Sequence, residues 1–174
     1  ELFDQVIFAC HSDQALALLG DASDAETQVL SAIGYRPNKV TLHRDQTLLP
    51  KRQAAWSSWN YQLQSGADQL PLLTYNMNIL QGINAPITFC VTLNDDQTIK
   101  PETIFKEVMF SHPVFNAAAT QAQARWQEIN GVNNTWFVGA YWLNGFHEDG
   151  VVSALRVANA LGVKIPILEN NRHV

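Results

Sequence analysis

Two short apolar runs stand at opposite ends of this chain, and they limit its fold more than any other feature. Val6-Ile7-Phe8-Ala9 lies within residues 3–10, and Trp136-Phe137-Val138-Gly139 within residues 135–139. A brief apolar run bounded by polar residues reads as a strand buried on both faces, the kind found inside a parallel sheet. Both runs read this way, so they are expected side by side and parallel, with everything between them leaving that sheet and returning. The first run follows closely on Glu1, with no strand before it to pair with. It therefore reads as part of a longer polypeptide.

Between the two runs the texture changes twice. Ser12 is placed to cap a helix over 13–19 stopped by Gly20, and Ser23-Asp24-Ala25-Glu26 has capping-box spacing for a second helix stopped by Gly34. From residue 38 to 110, runs rich in β-branched and aromatic residues recur at 39–43, 54–61, 72–78 and 87–94. Turn-forming stretches such as 64–68 and 82–86 separate them. That is the pattern of an antiparallel sheet. Pro113 opens an Ala-rich helix expected to run to about residue 129, and after the second apolar run a last helix is expected over 150–161. The fold class is thus α/β with a β-rich insertion, α+β overall. The expected divisions are residues 1–36, an antiparallel lobe over 37–112, and residues 113–174.

Charge excludes several functions. Sixteen acidic and eleven basic side chains leave a net charge of -5, which argues against a nucleic-acid footprint. Fourteen Asn and thirteen Gln equal the charged side chains in number, a composition that reads as a surface with large areas covered. No apolar run is long enough to span a membrane. Cys10 and Cys90 both sit in apolar runs and read as buried free thiols, a disulfide being the lesser alternative; that usage suits a reducing, cytoplasmic compartment. His147-Glu148-Asp149 is a poor metal site, because three consecutive residues cannot all face one ion. No serine sits in a G-x-S-x-G elbow, which sets aside a hydrolase.

The most informative stretch is 135–162, a strand, glycine-punctuated loop, acidic pair, glycine and helix. A strand that delivers its end to a helix N-terminus builds a site for an anion or a dipole, since the first-turn N–H groups are unpaired there. Asp149 equally fits a plain capping role. The aromatic residues of the middle segment read first as packing. On the runs 54–61 and 72–78, however, Trp56, Ser58 and Asn60, and likewise Thr74, Asn76 and Asn78, alternate onto one face suited to lining an uncharged substrate cavity.

Taken together, several motifs in this order resemble one family. They are 3–10 with His11-Ser12-Asp13-Gln14-Ala15-Leu16, Leu42-His43-Arg44-Asp45, Trp56-Ser57-Ser58-Trp59-Asn60, and Thr74-Tyr75-Asn76-Met77-Asn78 with Leu80-Gln81. The series continues with Val91-Thr92-Leu93-Asn94, His112-Pro113-Val114-Phe115 and Gly145-Phe146-His147-Glu148-Asp149-Gly150. Over roughly residues 3–162 the chain resembles the C-terminal part of flavin-containing, amine-oxidase-like NAD/FAD-binding proteins. It is also similar to the oxidase-like N-terminal region of plant cyclopropane-fatty-acid synthases.

The resemblance implies a two-lobed FAD-dependent oxidoreductase that passes hydride from a small or lipid-like substrate to flavin N5. In it, residues 1–36 and 113–174 are pieces of the FAD-binding lobe, and 37–112 is the substrate lobe. Gly139, Ala140, Gly145, Glu148, Asp149, Gly150 and Val151 fall at the cofactor, with Gly150 and Val151 offering backbone to the flavin O2 edge. Lys51 and Arg52 are the weak catalytic candidates, as a cation near N5. Ala140 departs from the family, many of whose members carry an acidic residue there for the ribityl hydroxyls.

A larger departure is that the nine glycines contain no G-x-G. The phosphate-binding turn of the family is therefore missing. These residues are accordingly expected not to retain FAD by themselves. They need an N-terminal FAD-binding portion of the same polypeptide as partner, and they may self-associate without it. The alternative is a non-catalytic packing or lipid-binding lobe.

Overall fold

A computed structural model describes residues 2–63, 72–95 and 98–163. The chain divides into two compact units: unit 1 takes Glu1–Arg36 and Pro113–Val174, and unit 2 takes Pro37–His112. The turn expected at 64–68 lies outside the described residues.

In unit 1, strand β1 (Val6–Phe8) leads into helix α1 (Ser12–Leu18), and helix α2 (Asp24–Ser31) follows. The capping box at α2 is formed as its spacing requires. The Ser23 hydroxyl accepts the Glu26 N–H at 3.3 Å, and the Glu26 carboxylate accepts the Ser23 N–H at 2.8 Å. Ser12 does not cap α1. It is the first residue of the helix and fully buried, and His11 holds the cap position, its N–H donated to Gln14 Oε1.

The long helix expected from residue 114 is two short ones. They are α4 (Ala117–Ala124), capped by the Asn116 side chain, and α5 (Trp126–Ile129), with the helical path broken at Arg125. Between the first and last parts of unit 1 lies unit 2, whose strands and helix are β2 (Tyr35–His43), β3 (Trp59–Gln62), β4 (Leu72–Asn76), α3 (Met77–Gln81), β5 (Cys90–Leu93) and β6 (Ile104–Pro113). Unit 1 closes with β7 (Thr135–Phe137) and α6 (His147–Ala160).

β1 and β7 pair in parallel, Val6 with Thr135, Ile7 with Trp136 and Phe8 with Phe137. One core gathers beneath them: Val29, Leu30 and Ile33 from the α2 region, Ala119 and Ala122 from α4, Ile129 from α5, and Phe137, Tyr141 and Trp142. The expectation that β1 is buried on both faces is corrected. Val6 and Ile7 are 42% and 49% exposed, because among the described residues the parallel sheet has only these two strands and nothing flanks β1 on its far side.

Unit 2 is a five-stranded sheet in the order β3-β4-β5-β2-β6, with the β3/β4, β4/β5 and β5/β2 pairs antiparallel. Thr41, Thr92, Thr74 and Asn60 form one row across four strands, and His43, Cys90 and Asn76 form the next; all are buried. The side chains satisfy one another within this polar layer. His43 Nδ1 accepts the Asp45 N–H at 3.1 Å, which leaves Nε2 to donate to Thr92 Oγ1 at 2.7 Å, and Thr92 and Thr74 share a hydrogen bond of 2.9 Å.

The other face carries the rows Leu42, Val91, Tyr75, Trp59 and Val40, Leu93, Leu73, Tyr61. The usual arrangement, with the apolar face inside, is therefore inverted.

Candidate functional site

The C-terminal ends of parallel strands are where open α/β sheets bind ligands. Here those ends are 9–12 after β1 and 138–142 after β7, with the first turn of α6 beyond. The Val138 N–H donates to Phe8 O at 2.9 Å, carrying the pairing one step past the strands.

The Gly139 N–H then donates to Ser153 Oγ at 2.8 Å, and the Ser153 hydroxyl donates to Gly150 O at 2.8 Å. One buried serine in α6 thus ties the end of β7 to the helix. The Trp142 indole N–H donates back to Phe137 O, and the Gln123 amide donates to the carbonyls of Tyr141 and Leu143. Gly139 has a steric cause of its own: a Cβ there would collide with the Tyr141 ring. Gly145 has a positive φ of 89°, and the Phe115 ring lies 3.1 Å from where its Cβ would stand.

The helix starts earlier than its glycine suggests. α6 begins at His147, because the Asp149 carboxylate accepts the N–H groups of Asn144 and Phe146 at 3.1 and 2.9 Å. The Gly150 N–H is already donated to Phe146 O, and Gly150 packs against Ala140, with 3.8 Å between its Cβ position and Ala140 N. Gly150 therefore sits one turn inside the helix and is not its first residue. The first-turn N–H groups without an acceptor among the described residues belong to His147 and Glu148.

Around this turn Phe115, Phe146 and Val151 stand 44%, 54% and 52% exposed. On the β1 side, the His11 ring stacks on Tyr35 at 4.6 Å, and Tyr35 Oη accepts the Ser12 N–H at 2.9 Å. The Tyr141 hydroxyl is buried, with no hydrogen-bond partner among the described residues. Burial pushes its pKa far up, and neighbouring Tyr35 and Cys10 add to that. The Cys10 thiol is also raised, by burial and then by Asp13, so it is not an activated nucleophile. Both cysteines are free, and burial pushes Cys90 up to about 11.

The donor set fits one end of a flavin and not the other. Two first-turn amides, the positive end of a fourteen-residue helix and three exposed apolar side chains suit the edge and face of a flat heterocycle with a carbonyl acceptor. Glu148 and Asp149 in the same turn do not suit a phosphate, and Ala140 offers nothing to a ribityl hydroxyl.

The expected substrate-lining residues lie in unit 2 and are held within it. Trp56 and Ser58 precede β3; the Trp56 indole N–H donates to Pro50 O, and Ser58 O accepts the Asn76 N–H. Asn60 is bonded to Ser57 and to Thr74 O, while Thr74 belongs to the buried threonine pair. Asn76 caps α3, and Asn78 bridges Ile87 and Phe89. Lys51 and Arg52 are exposed on the segment before β3.

The opposite parity of β3 is the exposed one. Trp59 and Tyr61, exposed on β3, line a cavity of about 440 Å³ together with Lys51. The signal was present, two aromatics two residues apart on an edge strand. Among the described residues there is no cluster of three or more His, Cys, Asp or Glu able to hold a metal, and no helix long and apolar enough to cross a membrane. No protein-family model matches the chain, and no curated protein is significantly similar to it.

Proposed function

We propose that this chain is part of an amine-oxidase-like, FAD-dependent oxidoreductase in which unit 1 holds the ring end of the flavin and unit 2 carries the substrate-binding sheet. The observation that supports this most is the junction at the ends of β1 and β7. There a parallel pair opens beside the exposed first turn of α6, whose His147 and Glu148 amides have no acceptor among the described residues. The bound flavin would supply hydride acceptance at N5 and a reduced ring with negative charge at N1–C2=O.

The residues of this chain supply orientation and electrostatics. The His147 and Glu148 amides, at the positive end of the α6 dipole, stabilise charge on the ring edge. Phe115, Phe146 and Val151 exclude water from it. Ser153 and Gly150 fix the distance between strand end and helix. The ADP half requires residues outside this chain, in the N-terminal portion of the same polypeptide.

The test is made on the complete polypeptide: it should bind FAD stoichiometrically. Gly150→Val, which forces branched atoms toward Ala140 and displaces the first turn, should weaken that binding roughly ten- to a hundred-fold, the effect of losing one charge-assisted hydrogen bond. Ala154→Val, on an exposed position of the same helix, should not. A complete polypeptide with no affinity for FAD would overturn the proposal.

A second reading, a non-catalytic lipid-binding or packing lobe, draws on the aromatic and apolar side of the unit 2 sheet. It would gain if the complete polypeptide bound apolar ligands but no flavin.

A further inference from the structure

We propose that unit 2 holds a binding site for a small amphipathic organic anion, in the cavity between segment 47–57 and strand β3, with Lys51 as the anion contact. The site lies wholly within unit 2, and the inference does not depend on the flavin reading.

β3 is the outermost strand of its sheet, and no described strand pairs with its outer edge. Against this edge the chain makes two short 3₁₀ turns, Gln46–Leu48 and Gln53–Ala55. Both are fixed from within. The Asp45 carboxylate accepts the Thr47 N–H and hydroxyl at 3.0 and 2.7 Å and the Lys100 N–H at 3.1 Å. The Trp56 indole N–H donates to Pro50 O at 2.8 Å, closing the second turn onto the first. The walls are therefore formed before any ligand arrives, as in most small-molecule sites.

The cleft, open on one side, has a volume of about 440 Å³, within the range of small-molecule sites. Leu48 and Leu49 make its buried apolar wall. Trp59 and Tyr61 add aromatic surface, 41% and 62% exposed. Of the described lining residues only Lys51 is charged.

That single charge gives the site its chemistry. The chain as a whole is acidic, with a net charge of -5, yet among the described residues no carboxylate lines this cavity. Among the described residues Lys51 forms no ion pair, the pairs there being Lys39–Glu107 and Arg125–Glu128. An ammonium at the mouth of an apolar, aromatic cavity attracts an anion more strongly than it would in open water. A strongly polar body would lose its own hydration against Trp59 and Tyr61 without hydrogen bonds to replace it. The ligand class is thus a flat or apolar body bearing one carboxylate.

The probes are 2-naphthoate and its nearly isosteric neutral analogue 2-naphthamide, titrated calorimetrically into the whole chain at low and at moderate salt. The expected result is one saturable site for naphthoate, weakened by salt, with naphthamide at least tenfold weaker. Lys51→Ala should lower naphthoate affinity about tenfold and leave naphthamide unchanged. Lys51→Gln, which keeps the first part of the aliphatic stem and a polar tip without the charge, should behave like Lys51→Ala. Arg52→Ala removes the same charge one residue along, outside the lining, and should change neither ligand. The proposal is overturned by equal affinities for the two probes, by a Lys51 variant that binds like the parent, by an Arg52→Ala that weakens binding as much, or by no saturable naphthoate binding at millimolar concentration.

Discussion

Ser153→Ala is the sharpest test of how the junction between β7 and α6 is built. Ser153 is fully buried, accepts the Gly139 N–H at 2.8 Å and donates to Gly150 O at the same distance. Alanine removes the acceptor and leaves the part-buried Gly139 N–H without that partner, while the Gly150 carbonyl keeps its place in the helix. An orphaned buried donor costs about 1–3 kcal/mol. At a urea slope of roughly 2 kcal/mol per molar, the unfolding midpoint should fall by about 0.5–1.5 M. The loss should also be local. Amide exchange followed by NMR should show Gly139 losing protection, while the amides of β4 and β5 in unit 2 keep theirs. A midpoint within about 0.2 M of the parent, together with unchanged Gly139 exchange, would refute the claim that this serine holds strand and helix together.

Three further outcomes are expected. Gly139→Ala should destabilise by about 1–3 kcal/mol through collision with the Tyr141 ring, whereas Gly20→Ala, with open space around the new methyl, should change urea stability by less than 0.5 kcal/mol. Burial lowers the His43 pKa below 6.5 against the opposing pull of Asp45 and Asp95. The unfolded chain therefore binds the proton more readily, and stability should be complete above pH 6.5 and fall as pH drops toward the lowered value; in urea titrations from pH 7.5 to 5.0, His43→Gln should be less stable but flatter with pH. Burial by itself would raise the Asp45 carboxyl, but donation from the Thr47 N–H and hydroxyl and from the Lys100 N–H reverses this and holds it low, so Asp45→Ala should cost about 2–3 kcal/mol in a thermal or urea melt.

Local rules carried much of the fold. The capping box at Ser23 and Glu26 and the parallel pairing of 6–8 with 135–137 follow from short-range pattern, and both are formed. What escaped depends on partners far along the chain. β6 was not anticipated, because its Phe105-Lys106-Glu107 run mixes charge with apolar residues and stays mostly exposed, pairing without a clear period. Pro113 closes that strand, and the helix expected to begin there waits for Asn116 to cap it. The start of α6 was set three residues late, since a glycine at 150 looks like an N-terminus until Asp149 is seen reaching back to Phe146.

Of the candidate lining residues, Asn60 lines the cavity beside β3, while Thr74 and Asn76 lie buried within the sheet. Alternation located the two faces of the sheet, but polarity was taken as the sign of the open one. His43, Thr92 and Thr74 instead hydrogen-bond one another inside, Thr41 donates to Glu107 and Asn76 caps α3, and the aromatic parity of Trp59 and Tyr61 faces outward. Charge scarcity in the sequence did foreshadow exposed apolar surface, which appears at Val6, Ile7, Phe115 and Phe146.

The central claim is that the first turn of α6 and the adjoining strand ends hold the edge of a flavin ring. FMN titrated into the ¹⁵N-labelled chain, read amide by amide, tests it most directly. The account predicts weak, saturable shifts concentrated at His147, Glu148 and Ala140 and at His11 and Ser12 beyond β1, with unit 2 unmoved. Shifts confined to unit 2, or none at millimolar FMN, would contradict it.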